Sequence, residues 1–265
     1  MTTCKCRAAA LVGILLLPTV AASADPATEA YQKGKSCFEK GDDVAAIAAF
    51  TEAICLNPKS AEAYCNRGRA YGRKGELDKA LADCTEAIRL DPRYARAYCY
   101  RGMAHAEKGD RDRAFADLSE AIRLDPKLAV AYYNRGVVCR KKGDFDPAIA
   151  DSTEAIRLDP KSAIARCGRG NAYVEKGEHD KAIADFDEAI RLDPKLTEAR
   201  CDRGIAHAGK GDYGKAFADF TEAIRLDPKS AKAYYNRGVA HDNMGDRYEA
   251  EEDFAQAKKL GFKGE

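Results

Sequence analysis

The chain of 265 residues carries 44 lysines and arginines against 43 aspartates and glutamates, a formal charge of +1. That balance gives no electrostatic reason to expect nucleic acid or an anionic membrane surface as partner. Beyond its N-terminal segment no stretch is apolar enough to span a bilayer, which takes roughly 20 residues.

The first segment reads MTTCKCRAAALVGILLLPTVAASADPATEA. Lys5 and Arg7 make a basic start, Ala8 to Leu17 is uncharged, and Ala22-Ser23-Ala24 precedes Asp25. This is the layout of a secretory signal peptide over residues 1–24, cleaved after Ala24. A disordered cytoplasmic leader is the alternative. The apolar run is too short for an anchor, and Cys4 and Cys6 precede it, which disfavours lipid attachment. Cleavage removes two basic and no acidic residues, moving the formal charge from +1 to −1. The expected destination is the bacterial periplasm, an oxidising compartment.

From Ala27 onward the chain repeats. EAIRLDP stands unchanged at 86–92, 120–126, 154–160, 188–194 and 222–228, with a looser EAICLNP at 52–58. Seven 34-residue units therefore follow without a gap, at 27–60, 61–94, 95–128, 129–162, 163–196, 197–230 and 231–264, in one domain over 25–265. Each unit reads as helix, turn, helix. In the second, AEAYCNRGRAYGRK is the first helix and ELDKALADCTEAIRL the second, whose Leu77, Ala80, Leu81, Cys84, Ala87 and Ile88 share one face. A glycine between the helices (Gly41, Gly75 and their equivalents to Gly245) suits a left-handed helix end, and Asp42 or Asp110 can cap the second helix. EAIRL closes that second helix and proline stops it. Asp91, Asp125, Asp159, Asp193 and Asp227 are expected to cap the first helix of the next unit.

With Gly34, Gly68, Gly102, Gly136, Gly170, Gly204 and Gly238 at position eight, alanines such as Ala80 and Ala87 at positions 20 and 27, and proline at 32, the unit resembles the tetratricopeptide repeat family over residues 27–264. The resemblance implies an all-α solenoid, a right-handed superhelix whose first helices line a concave groove. Two departures stand out: Arg67 to Arg237 occupy position seven, and Phe262 replaces the last proline. At the end of the stack Glu251 and Lys258 replace apolar residues at positions 21 and 28, so the seventh hairpin is expected to cap itself.

Arginine at position seven occurs with aspartate at 23 (Asp83, Asp117, Asp151, Asp185, Asp219, Asp253), and the first unit loses both, having Lys33 and Ala49. The pair reads as a structural ion pair, with an anion-binding arginine ladder as the alternative. Cys65, Cys99, Cys167 and Cys201 share position five. Helices one unit apart lie roughly 8–10 Å apart, beyond a disulfide's Cα span of about 4.4–6.8 Å. Neighbouring cysteines should therefore stay reduced. His105, His207 and His241 share position eleven with Tyr71, Tyr173, Cys37 and Cys139, which suggests a packing position. No metal and no cofactor are expected, and no phosphate loop or nucleophile elbow points to an enzyme. His179, opening a second helix, should be exposed.

Positions 2, 5, 6, 9, 12 and 13 share a face of the first helix and vary most between units. The candidate groove residues are Tyr31, Lys35, Asn66, Arg69, Arg73, Tyr133, Asn134, Arg140, Tyr235 and Asn236, with Arg96 and Lys141. The resemblance implies that asparagines on this helix hold a peptide ligand; the family's carboxylate clamp is missing, because no lysine stands at position five. The reading is a non-catalytic protein–protein interaction scaffold, its ligand acidic toward units one to four and more apolar beyond. The alternatives are a thiol-redox or metal-handling protein using the cysteine row, and a regulatory subunit of a separate enzyme.

Overall fold

The computed structural model describes residues 25–262, so the predicted leader and its cleavage site lie outside the described residues. Among the described residues there are fourteen helices and no strand, paired as seven hairpins. They are α1 (Pro26–Glu39) with α2 (Asp43–Leu56), α3 (Ala61–Arg73) with α4 (Leu77–Leu90), α5 (Ala95–Glu107) with α6 (Arg111–Leu124), and α7 (Ala129–Lys142) with α8 (Phe145–Leu158). Then come α9 (Ala163–Glu175) with α10 (His179–Leu192), α11 (Thr197–Gly209) with α12 (Tyr213–Leu226), and α13 (Ala231–Met244) with α14 (Arg247–Lys259).

Local chemistry places these boundaries. Gly143 closes α7 at φ +88°, a left-handed conformation that costs glycine nothing. Asp42 and Asp110 cap α2 and α6, accepting from Ala45 N at 2.9 Å and Arg113 N at 3.1 Å. The aspartates before proline behave differently from the sequence expectation. Asp91 accepts from Arg93 N at 2.9 Å and Asp159 from Lys161 N at 3.2 Å, so each folds its carboxylate over the turn two residues on. The N-cap passes to position 34, where Ser60, Ser162 and Ser230 hold the amides of Ala63, Ala165 and Ala233.

The helices of a hairpin come closest at the glycine of position eight. A Cβ on Gly68 would stand 2.9 Å from Cys84 Sγ and 3.1 Å from the Ala80 carbonyl oxygen; on Gly170 it would stand 2.7 Å from the Phe186 ring. Each second helix packs on the first helix of the next unit. Consecutive first helices also touch (α3 with α5, α5 with α7, through to α11 with α13), whereas among the described residues no two consecutive second helices do. The first helices are therefore the inner, concave layer.

The arginines of position seven hold hairpins and neighbours together. Arg135 donates Nε and Nη2 to the two Asp151 oxygens, both at 2.8 Å, and Nη1 to Ser119 of the preceding unit at 3.2 Å. Arg67 repeats this with Asp83 and Thr51, Arg169 with Asp185 and Thr153, and Arg203 with Asp219 and Asp187. The aspartates are buried, and two parallel bonds to a guanidinium supply the pairing a buried carboxylate needs. This is the structural ion pair, extended by a third bond across the repeat boundary. At the C-terminal end Glu251 and Lys258 lie exposed, and Phe262 stacks on Tyr235 with ring centroids 4.2 Å apart.

Candidate functional site

The inner face carries a series of cavities joined by shared side chains. The one nearest the N-terminal half, about 170 Å³, lies along α3 and α5 between Arg69, Arg73, Tyr100, Met103 and Glu107. Arg69 lies between the Phe38 and Tyr100 rings, at 4.4 and 5.1 Å from their centroids, and Arg73 also lies over Phe38, at 4.1 Å. Arg73 also donates to the Phe38 carbonyl at 3.2 Å and pairs with Asp43 at 3.1 Å. Stacking on aromatic faces holds both guanidiniums in place while leaving N–H groups at the surface.

A second cavity of about 260 Å³ begins at Met103 and lies between Val130, Tyr133, Asn134 and Ile164, drawn from α5, α7 and α9. Tyr133 and Ile164 open in turn onto a third of about 290 Å³, bordered by Arg140, Lys141, Glu198 and Asp202. There Arg140 faces Glu175 at 3.6 Å, and buried Asp202 receives Lys232 Nζ at 3.0 Å. Burial pulls the Lys232 ammonium down, but Asp202 beside it raises it, on balance, above its ordinary value.

The sequence candidates thus divide. Arg69, Arg73, Tyr133, Asn134 and Arg140 line this connected series. Tyr31, Lys35 and Asn66 form a separate N-terminal group, in which Asn66 Nδ2 donates to Tyr31 Oη at 3.0 Å and Lys35 lies 6.0 Å from the Tyr31 ring. Tyr235 is partly covered by Phe262, and Asn236 Nδ2 is buried with no hydrogen-bond partner among the described residues. Asn66 and Asn134 donate back to their own helices, to Glu62 O at 2.9 Å and Val130 O at 2.7 Å. Their oxygens are left as acceptors. Sequence reasoning places Ile164 among the apolar residues of this face but misses Met103 and Val130 at the same six positions, because polar and charged side chains mark candidates there.

The cysteine row lies inside the stack. Cys65, Cys99, Cys167 and Cys201 are buried, and burial pushes each thiol up to about 12, far from the thiolate that redox or metal chemistry uses. His105, His207 and His241 each sit beside a carboxylate, Asp117 at 4.0 Å, Asp212 at 4.0 Å and Asp246 at 3.6 Å respectively. His179 is half-buried, its ring filling the space left by Gly209 of the next unit.

Sequence models of known families match most of the repeat region. One described as TPR repeat covers residues 34–75, 102–143, 170–211 and 208–245. Two described as tetratricopeptide repeat cover 61–94 with 129–162, and 231–260. Among solved structures, a tetratricopeptide repeat protein from Parabacteroides merdae ATCC 43184 is similar with a TM-score of 0.68 and 22% identity, over 90% of this chain and 94% of that one. YrrB, described as a TPR protein with an unusual peptide-binding site, gives 0.54 and 28%, over 70% and 95%. The Cut9–Hcn1 assembly of APC/C gives 0.78 and 16%, over 86% of this chain but only 45% of that one.

Proposed function

Since the chain belongs to the tetratricopeptide repeat family, we propose that it is a non-catalytic scaffold whose inner groove holds an extended segment of a partner protein. The observation that carries this reading is the connected series of cavities on the inner layer, with two guanidiniums fixed on aromatic faces at one end. Donors held in advance lose little freedom when a ligand binds. The segment is acidic where it faces units one to four and more apolar beyond. That YrrB is described as having a peptide-binding site supports the peptide part of this reading. The raised, buried thiols weigh against the thiol-handling alternative.

The test uses a fluorescein-labelled peptide with an Asp/Glu-rich half and a Leu/Ala-rich half. Arg69, Arg73 and Arg140 changed together to Gln stay polar yet lose their charge, at Phe38 for the first two and beside Glu175 for the third. Association should slow and its salt dependence flatten, with helix content unchanged. Equal rates and equal salt slopes in both proteins would move the binding surface off the groove. We read residues 1–24 as an export leader for the bacterial periplasm; mass spectrometry of the chain recovered there should find Asp25 at its N-terminus, and a retained Met1 would refute cleavage.

A further inference from the structure

Position two of the first helix lies on the inner face and is polar or charged in five units: Thr28, Glu62, Arg96, Glu198 and Lys232. In two adjacent units it is apolar. Val130 and Ile164 are 38% and 54% exposed, and with Met103 and Tyr133 they wall the 260 Å³ cavity. Apolar side chains gathered around one concavity lose their contact with water only when something apolar fills it. The cavity also has one orienting polar group. Asn134 Nδ2 is committed to Val130 O, which leaves Oδ1 to accept a backbone N–H.

Charge reverses on either side of this cavity. The six groove positions of units one to four hold Lys35, Arg69, Arg73, Arg96, Arg140 and Lys141 against Glu39, Glu62 and Glu107. In units five to seven they hold Glu175, Glu198, Asp202 and Asp242 against Lys232 alone. A groove with this polarity discriminates against a segment charged with one sign throughout.

We infer that the groove takes an extended peptide anchored by one bulky apolar side chain between Met103, Val130, Tyr133 and Ile164, with an acidic residue toward Arg69 and Arg73 and a basic residue toward Glu198 and Asp242. This rests on the groove reading above, moves its apolar contact to units three to five, and makes the far end of the segment basic. Inner helices lie roughly 8–10 Å apart and an extended chain advances about 3.3 Å per residue, so each unit spans about three residues. Arg69 and Arg73 lie two units before the cavity, which puts the acidic residue about six positions from the anchor.

The experiment titrates the full chain with fluorescein-labelled peptides of about fifteen residues, acidic at one end, Phe in the middle and basic at the other, with Gly-Ser spacers. Controls replace Phe with Ser, or make both ends acidic or both basic. The Phe peptide should bind about tenfold or more tighter than the Ser peptide, the scale expected for burying an aromatic side chain. V130T/I164T, giving both units the residue that unit one carries, should abolish that preference while leaving Ser-peptide affinity and helix content unchanged. Equal binding of Phe and Ser peptides, or a preference that survives V130T/I164T, overturns the anchor. A peptide acidic at both ends binding as well as the mixed one overturns the charge order. Binding without either pattern leaves the groove reading standing and removes this inference; no binding by any peptide removes both.

Discussion

Units two to six and the two end units are written in the same 34-residue pattern, yet they differ at the arginine link between hairpins. In the interior the position-seven arginine reaches its own aspartate and a hydroxyl or carboxylate of the unit before. Unit one has neither arginine nor aspartate but Lys33 and Ala49. Unit seven keeps Arg237 on Asp253 at 2.7 Å, but Thr221 Oγ1, which would take the third bond, is buried and unpartnered, and Ala255 stands where other units carry a hydroxyl or Asp187. The stack is held by nearest-neighbour links, and the full three-bond arginine link occurs in the interior units.

The largest effect should come from separating a central hairpin. A Cβ on Gly136 would lie 3.2 Å from the Ala148 carbonyl oxygen and 3.2 Å from Ser152 Oγ, so Gly136→Leu must push α7 from α8. The cost is about 3 kcal/mol, and it divides the stack into two blocks. Urea denaturation should turn broad or biphasic. Gly238→Leu, against Phe254 in the last unit, should fray one hairpin and leave the main transition nearly in place. Identical curves for the two variants would mean that the array unfolds as one unit.

Arg135→Ala comes next. It strands Asp151 and cuts the link to Ser119, but the Arg135 side chain is 22% exposed, so the cost should fall below that of a fully buried pair, at about 2 kcal/mol. Arg135→Ala with Asp151→Ala should be milder than Arg135→Ala alone, because no carboxylate is left unpaired. Arg237→Ala should cost less than Arg135→Ala, having no third bond to lose. Strict additivity in the Arg135/Asp151 cycle would show that the pair carries no coupling energy.

Relations inside one unit were legible in the sequence because seven copies display them: the hairpin, the close-contact glycine, and arginine paired with aspartate. Relations between units were not. The third bond of Arg135 joins position seven to position 25 of another unit, a contact set by the rise and rotation between hairpins, which no residue spacing encodes. For the same reason Arg69 and Arg73 read as free groove charges, although Phe38 and Asp43 of unit one hold them. Tyr235 read as groove wall because its partner Phe262 looked like a mere lost proline. The turn aspartates were misread locally: a carboxylate before proline reaches the amide two residues on sooner than a helix that starts later.

A smaller effect should appear with pH. His105 and His207 sit at position eleven, and burial holds both imidazoles below their ordinary value. Asp117 and Asp110 beside His105, and Asp219 and Asp212 beside His207, pull upward; Arg101, Arg113, Arg203 and Lys215 pull down. With the folded-state pKa depressed, their contribution is complete above the unfolded value of about 6.5 and is lost as pH falls through the folded value. Urea midpoints should therefore drop between about pH 7.5 and about pH 5.5. His105→Tyr with His207→Tyr, the residue that Tyr71 and Tyr173 place there, should flatten that slope. An unchanged slope would assign it to carboxylates instead.

The smallest effect concerns a ladder of exposed ion pairs confined to the interior. Lys108 pairs with Asp78, Lys142 with Asp112 at 2.9 Å, Lys176 with Asp146 at 2.6 Å, and Lys210 with Asp180. The rungs stop at both ends. Lys74 has Val44 where the aspartate would be and turns to Glu76 at 2.7 Å, and Met244 meets Gly214. Hydrogen bonds from the lysines hold the Asp112 and Asp180 carboxyls below the usual range, yet these groups are in water, where ion pairs contribute little. Changing Lys108, Lys142, Lys176 and Lys210 to Met, the residue unit seven carries, removes the cation from all four rungs. The thermal midpoint should fall slightly at low salt and match wild type near 1 M salt, where the screening length is about 3 Å. A loss that persists at high salt would place the effect in the packing of the lysine stems rather than in their charge.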